Sequence, residues 1–232
     1  MKTLQIAKII SLSVLCVHLA QVASAALTIS SDNIVDGKYT YSLKNDTNFI
    51  TTFNADVFTK DAVQAERDGS NNGYVRAFGG RIAASFVYSF DFSSTGSTAL
   101  GVTFTDGLRN FDSKATSTTA YSIDGGTTWH TIRTLAASGT SGPSATTISF
   151  SALPEYSESI TSVLYRTTFV ANNSGVSFTS PNNQWGRVAN AGTIFTATFE
   201  LTPAIPEPST WAVLLGSGVF IATIGIRRNR GR

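Results

Sequence analysis

Apolar and polar side chains alternate with a period of two through the middle of the chain, the signature of strands with one buried face. Ser85 to Phe92 places Phe86, Tyr88, Phe90 and Phe92 on one side, and Leu100 to Thr105 does the same with Leu100, Val102 and Phe104. Farther on, Val163, Tyr165, Thr167 and Phe169 share a face, and Phe195, Ala197, Phe199 and Leu201 form a closing strand. Tyr39 to Leu43, Phe49 to Val57, Tyr74 to Phe78, Thr119 to Ile123, Trp129 to Leu135 and Thr146 to Phe150 show the same tendency over shorter runs. Only Lys60 to Arg67 reads as a helical turn or two, and Ala136 to Ala145 reads as a loop rich in Ser, Gly and Pro. Short strands separated by Gly, Asn and Ser turns, without alternating helices, predict an all-β domain over residues 26–202. An antiparallel β-sandwich of jelly-roll type is the simplest such fold. Propellers and solenoids lose ground because no repeat of about 20 to 50 residues is visible.

The two ends depart from this pattern. Lys2 and Lys8, the apolar stretch Ile9 to Leu19 and the small residues Ala23-Ser24-Ala25 have the three parts of a secretory signal, predicted to be removed before Ala26. At the other end, residues 203–210 form a linker containing Pro206-Glu207-Pro208-Ser209-Thr210, where two prolines hold the backbone extended and remove two N–H donors. Trp211 to Ile226 then runs without a charge and Arg227, Arg228, Arg230 and Arg232 close the chain. As a transmembrane helix that apolar run spans roughly 24 Å, a little short of the hydrocarbon core, with Trp211 placed for the interface and the arginines expected to stay on the cytoplasmic side.

Pro-Glu-Pro-Ser-Thr-Trp, a short apolar helix and an Arg-rich end resemble the PEP-CTERM sorting tail of exported Gram-negative proteins, a segment also labelled the C-terminal domain of ice-binding proteins. The resemblance implies processing by an exosortase-like membrane peptidase, in bacteria that make exopolysaccharide. Its expected course is an inner-membrane-anchored precursor, then the cell envelope or extracellular matrix.

Composition narrows the chemistry. Of 232 residues 42% are hydrophobic and 14% charged, and the formal charge of +2 is carried by the two ends. From Ala26 to Ile205 there are 11 Lys and Arg against 14 Asp and Glu, a net of −3 that disfavours a nucleic-acid module. Loss of the signal would remove the only Cys, Cys16, and one of two His, His18. The mature domain is then expected to have no disulfide, no thiolate nucleophile, no metal site and no cofactor.

Candidate sites are few. Asn182, Asn183, Gln184, Trp185 and Arg187 lie together around one ring, and sugar recognition needs an aromatic platform beside planar polar groups. The bland alternative is that Trp185 plugs the sandwich and the amides cap loop backbone. Tyr74, Arg76, Phe78 and Arg81 form a second, weaker cluster. Ser122-Ile123-Asp124-Gly125-Gly126-Thr127-Thr128-Trp129 resembles the Asp-box, a hairpin device in which Asp124 is expected to serve the turn rather than calcium, with Trp129 packed beneath it. Catalysis is disfavoured, because His130 alone would have to serve any Ser-His-Asp triad and no Gly-x-Ser-x-Gly elbow is present. A glycoside hydrolase would need a second carboxyl facing Glu155, Glu158 or Glu200. The expectation is an exported, non-catalytic protein of weak glycan affinity; the rivals are a polysaccharide-degrading enzyme and a passive matrix or adhesion protein.

Overall fold

The computed structural model describes residues 26–78, 82–111, 115–157, 159–171, 183–186 and 192–202. Two sheets face each other across an aromatic core. The first contains β1 (Leu27–Thr28), β3 (Thr59–Asp61), β6 (Ala83–Asp91), β8 (Ala115–Ser122), β9 (His130–Leu135) and β11 (Ser162–Ala171). Its order is β1-β6-β11-β8-β9, with β3 also paired to β6. The second contains β2 (Lys38–Lys44), β4 (Val63–Arg67), β5 (Gly73–Ala77), β7 (Ala99–Asn110), β10 (Gly139–Ser149), β12 (Asn183–Trp185) and β13 (Thr193–Leu201). Its order is β2-β13-β7-β12-β5-β4, with β10 along the other edge of β7. All pairings are antiparallel except the short β1–β6 ladder. The fold is therefore a β-sandwich, as the alternation predicts.

Period-two patterning accounts for the core directly. Phe86, Tyr88 and Phe90 of β6, Val163, Tyr165, Thr167 and Phe169 of β11, and Phe195, Ala197 and Phe199 of β13 are all buried. Their rings interlock between the sheets, with Tyr165–Phe195 at 4.6 Å and Phe90–Phe199 at 4.8 Å between centroids, distances at which aromatic pairs add to their area burial.

Four local expectations are corrected. Phe49 to Val57 contains not a strand but a helix, α1 (Phe49–Asp56): the two phenylalanines four residues apart meet the core together, as helical spacing allows. Lys60 to Arg67 is not helical, because Ala62 takes a φ of 52° and sends the chain from β3 in one sheet to β4 in the other. The loop expected over Ala136 to Ala145 is largely strand, since Gly139–Ser149 pairs along β7 with a bulge between Ser141 and Ser144 that accommodates Pro143, a residue without an N–H. Leu100 does not join Val102 and Phe104: the register slips between Glu200 and Leu201, and the extra residue leaves Leu100 41% exposed.

The strand directions give the sandwich two distinct poles. At one, the Thr202 N–H donates to Thr98, just before β7 begins, and the Ile29 N–H donates to Asp91, where β6 ends. At the other, β5 and β7 finish and β6 begins. The predicted signal, linker, apolar helix and basic tail lie outside the described residues, among which no helix is long and apolar enough to cross a membrane.

Candidate functional site

β12 decides which of the proposed sugar-contacting residues face solvent. This three-residue strand sits between β5 and β7, so adjacent side chains must point to opposite sides of the sheet. Trp185 points inward and is 0% exposed. It packs on Phe86 at 4.9 Å and Phe195 at 5.4 Å, and its indole N–H donates to the Tyr165 hydroxyl at 2.9 Å. Tyr165 in turn donates to Asp106 Oδ2 at 2.6 Å, and Arg133 Nε donates to Asp106 Oδ1 at 2.9 Å. Burial first, then the Asp106 charge, raises the Tyr165 phenol well above its ordinary pKa, so this chain of donors stays protonated. Trp185 is thus a core plug, the bland alternative named above, and the reading of it as a platform for sugar is corrected: the ring needed most for stacking is the one the core claims.

Asn183 shares that inward face. Its amide donates to Asn110 Oδ1 at 2.8 Å and to Ser117 Oγ at 3.0 Å, while Ser117 donates to Asn110 at 2.7 Å, a buried cluster that ties the two sheets together. Neither Trp185 nor Asn183 reaches solvent, and Asn182 and Arg187 lie outside the described residues.

Gln184 points the other way, and the residues beside it form a different constellation. It is the register partner of Arg76 on β5 and of Arg109 on β7, so the three lie in one row on the outer face. Gln184 itself is only 3% exposed, and its Oε1 has no partner among the described residues. Arg76 grips Glu66 with two nitrogens, Nε at 2.8 Å and Nη2 at 2.7 Å, and Tyr74 adds a hydroxyl to the same carboxylate at 2.8 Å. These bonds, the guanidinium's foremost, hold the Glu66 carboxyl below its ordinary pKa and raise that of Arg76. The Arg76 guanidinium lies over the ring of Phe78, just past the end of β5, at 5.5 Å, and Arg109 lies over Phe111, just past the end of β7, at 4.4 Å. Phe78 and Phe111 remain 50% and 45% exposed.

The weaker sequence cluster is therefore the one the fold assembles. Tyr74, Arg76 and Phe78 are joined by Glu66, Gln184, Arg109 and Phe111, whereas Arg81 lies outside the described residues. Arg109 and Phe111 fall outside both sequence clusters; the signal in the sequence that points to them is the repetition of Arg-x-Phe at Arg76-Ala77-Phe78 and Arg109-Asn110-Phe111.

Of the remaining candidates, Asp124 serves the hairpin turn. Asp124 receives the Thr128 N–H on both oxygens at 2.9 Å and the Ser122 hydroxyl at 2.7 Å, contacts that bring its pKa down to about 2. Gly125 and Gly126 take φ of 71° and 92° in the turn, Trp129 lies under Gly126, and Arg166 covers the indole at 3.8 Å. Asp124 is thus a turn residue, as expected. His130 contacts Glu155 and stacks on Tyr121 at 5.1 Å, while Glu200 faces Lys38 at 3.9 Å on the surface. Glu158 lies outside the described residues. Among the described residues no group of three or more His, Cys, Asp or Glu is placed to hold a metal ion.

No family model and no curated protein matches the chain. Among solved structures it is similar to TmCBM61, determined in complex with beta-1,4-galactotriose, at 6% identity and a TM-score of 0.31, over 73% of this chain and 89% of that one.

Proposed function

We propose that the protein is an exported, non-catalytic β-sandwich, sorted by its C-terminal segment to the envelope or extracellular matrix, where it binds polysaccharide weakly through the outer face of the second sheet. The observation that carries the binding half is the pair of half-exposed phenylalanines, each beside a guanidinium, the first of which is forked onto the Glu66 carboxylate. Ring faces take the C–H side of a sugar while forked donors and acceptors take its hydroxyls, which is the pairing that sugar binding requires. Engagement of Glu155 by His130 and of Glu200 by Lys38 supports a non-catalytic role, since an acid–base pair would need a carboxyl partner across a cleft. The export half rests on the Pro-Glu-Pro segment, the apolar run and the basic end.

A glycan array probed with the full chain in detergent tests the binding, with the Phe78→Ala, Phe111→Ala double variant as control. Binding that disappears in the double variant while the melting temperature holds is the expected result. Binding unchanged in the double variant rules out this face. A passive matrix protein without a ligand is the second reading, favoured by burial of Trp185, and absence of binding to every glycan would select it. Sorting is tested by Glu207→Ala, followed by mass and location: the expected outcome is an unprocessed, membrane-retained chain.

A further inference from the structure

Arg76 and Arg109 are both paired with Gln184, and β12 runs antiparallel to β5 and to β7 alike, so β5 and β7 point the same way. Arg76-Ala77-Phe78 and Arg109-Asn110-Phe111 consequently occupy equivalent positions on two strands separated by two strand spacings, about 10 Å. Each unit sets a guanidinium over a half-open ring. They differ in charge. Arg76 is neutralised by its two-pronged bond to Glu66, whereas Arg109 makes no ion pair among the described residues.

A ring-and-cation unit that recurs at fixed spacing suits a ligand that is itself a repeating chain, and one neutralised unit beside one cationic unit suits a chain in which charge recurs on only some residues. A guanidinium and a carboxylate fit each other as paired donors and acceptors, a bond stronger and more directional than one to a neutral hydroxyl. Resting on the glycan-binding reading above, we propose that the ligand is an acidic polysaccharide in which uronic acids alternate with neutral sugars. Arg109 takes a carboxylate, and Phe111 and Phe78 support rings along the same chain. A single-stranded nucleic acid also offers negative charge and flat faces. It carries a phosphate at every step, however, and the net of −3 from Ala26 to Ile205 opposes so dense a polyanion.

The test measures binding of the full chain in detergent to hyaluronan, which alternates glucuronate with N-acetylglucosamine, to its carboxyl-reduced form, and to oligothymidylate. Carboxyl reduction is expected to weaken binding about tenfold, the loss of one charged hydrogen-bonded contact. Arg109→Gln should cost the same factor toward native hyaluronan and nothing toward the reduced polymer, and Phe111→Ala should weaken both. Melting temperatures measured in parallel separate these losses from misfolding. Equal binding of native and reduced polymer would overturn the acidic ligand while leaving glycan binding at this face intact. Tighter binding of oligothymidylate than of hyaluronan would overturn it in favour of a nucleic acid, and absence of binding to any glycan would remove both this inference and the reading beneath it.

Discussion

The two faces of the sheet around β12 are built from adjacent residues and differ in nearly every physical respect. On the inner face, Trp185 and Asn183 sit in close-packed surroundings, with the indole N–H and the Asn183 amide nitrogen both donating. On the outer face, Arg76 and Arg109 lie over rings that stay half open to solvent. One short strand thus serves as scaffold on one side and as the middle of the candidate site on the other. The period of two in a strand makes this division possible, and it also makes the two roles separable by mutation.

Breaking the inner face should have the largest effects. Trp185→Ala is expected to cost about 4 kcal/mol, the loss for a fully buried tryptophan that leaves a cavity, read as a lower urea midpoint. Arg133→Met should cost about 3 kcal/mol by leaving Asp106 buried without its cation, and replacing Asp106 with Asn in that background should recover part of the loss. On the outer face, Phe111→Ala and Arg109→Gln should each change stability by no more than about 0.5 kcal/mol, as substitutions of partly exposed residues do, so any loss of binding would belong to the site.

Acid titration sharpens the same contrast. Glu66 has its folded pKa depressed, so its contribution is present above the ordinary carboxylate value and is lost as pH falls through the lowered one. Glu66→Gln should remove that acid-side decline and leave Arg76 free to swing off Phe78, seen as altered ring-proton shifts. Asp124 is depressed in the same sense, to about 2, and its contribution, present above the ordinary value of 3.8, should fade only as pH approaches 2. Asp124→Asn should shrink that dependence, the smallest of these effects because the carboxylate is exposed.

The long strands were legible because their signal is local. Phe86, Tyr88 and Phe90 alternate without interruption, and so do Phe195, Ala197 and Phe199, hence the core could be read from spacing alone. Errors arose where one residue changes the phase or the geometry. An inserted Leu100 flips its own side chain, a positive φ at Ala62 redirects the chain, and Phe49 and Phe53 satisfy a period of two and a period of four equally well. The candidate site was half legible. Tyr74, Arg76 and Phe78 stand close together in the sequence and were singled out for that reason. Arg109 joins them only through the register of β12, a pairing over more than seventy residues for which no short-range pattern exists.

The polarity of the sandwich has a consequence for a chain held by its C-terminal segment. β13 ends at Leu201 beside Ala99, whereas Arg109 and Phe111 stand at the far end of β7, about 30 Å away at the rise of a strand. A protein moored through Thr202 would therefore lift its aromatic, cationic end outward, with the body of the domain as a spacer. Polymer in the surrounding medium would meet that end before it met the bilayer.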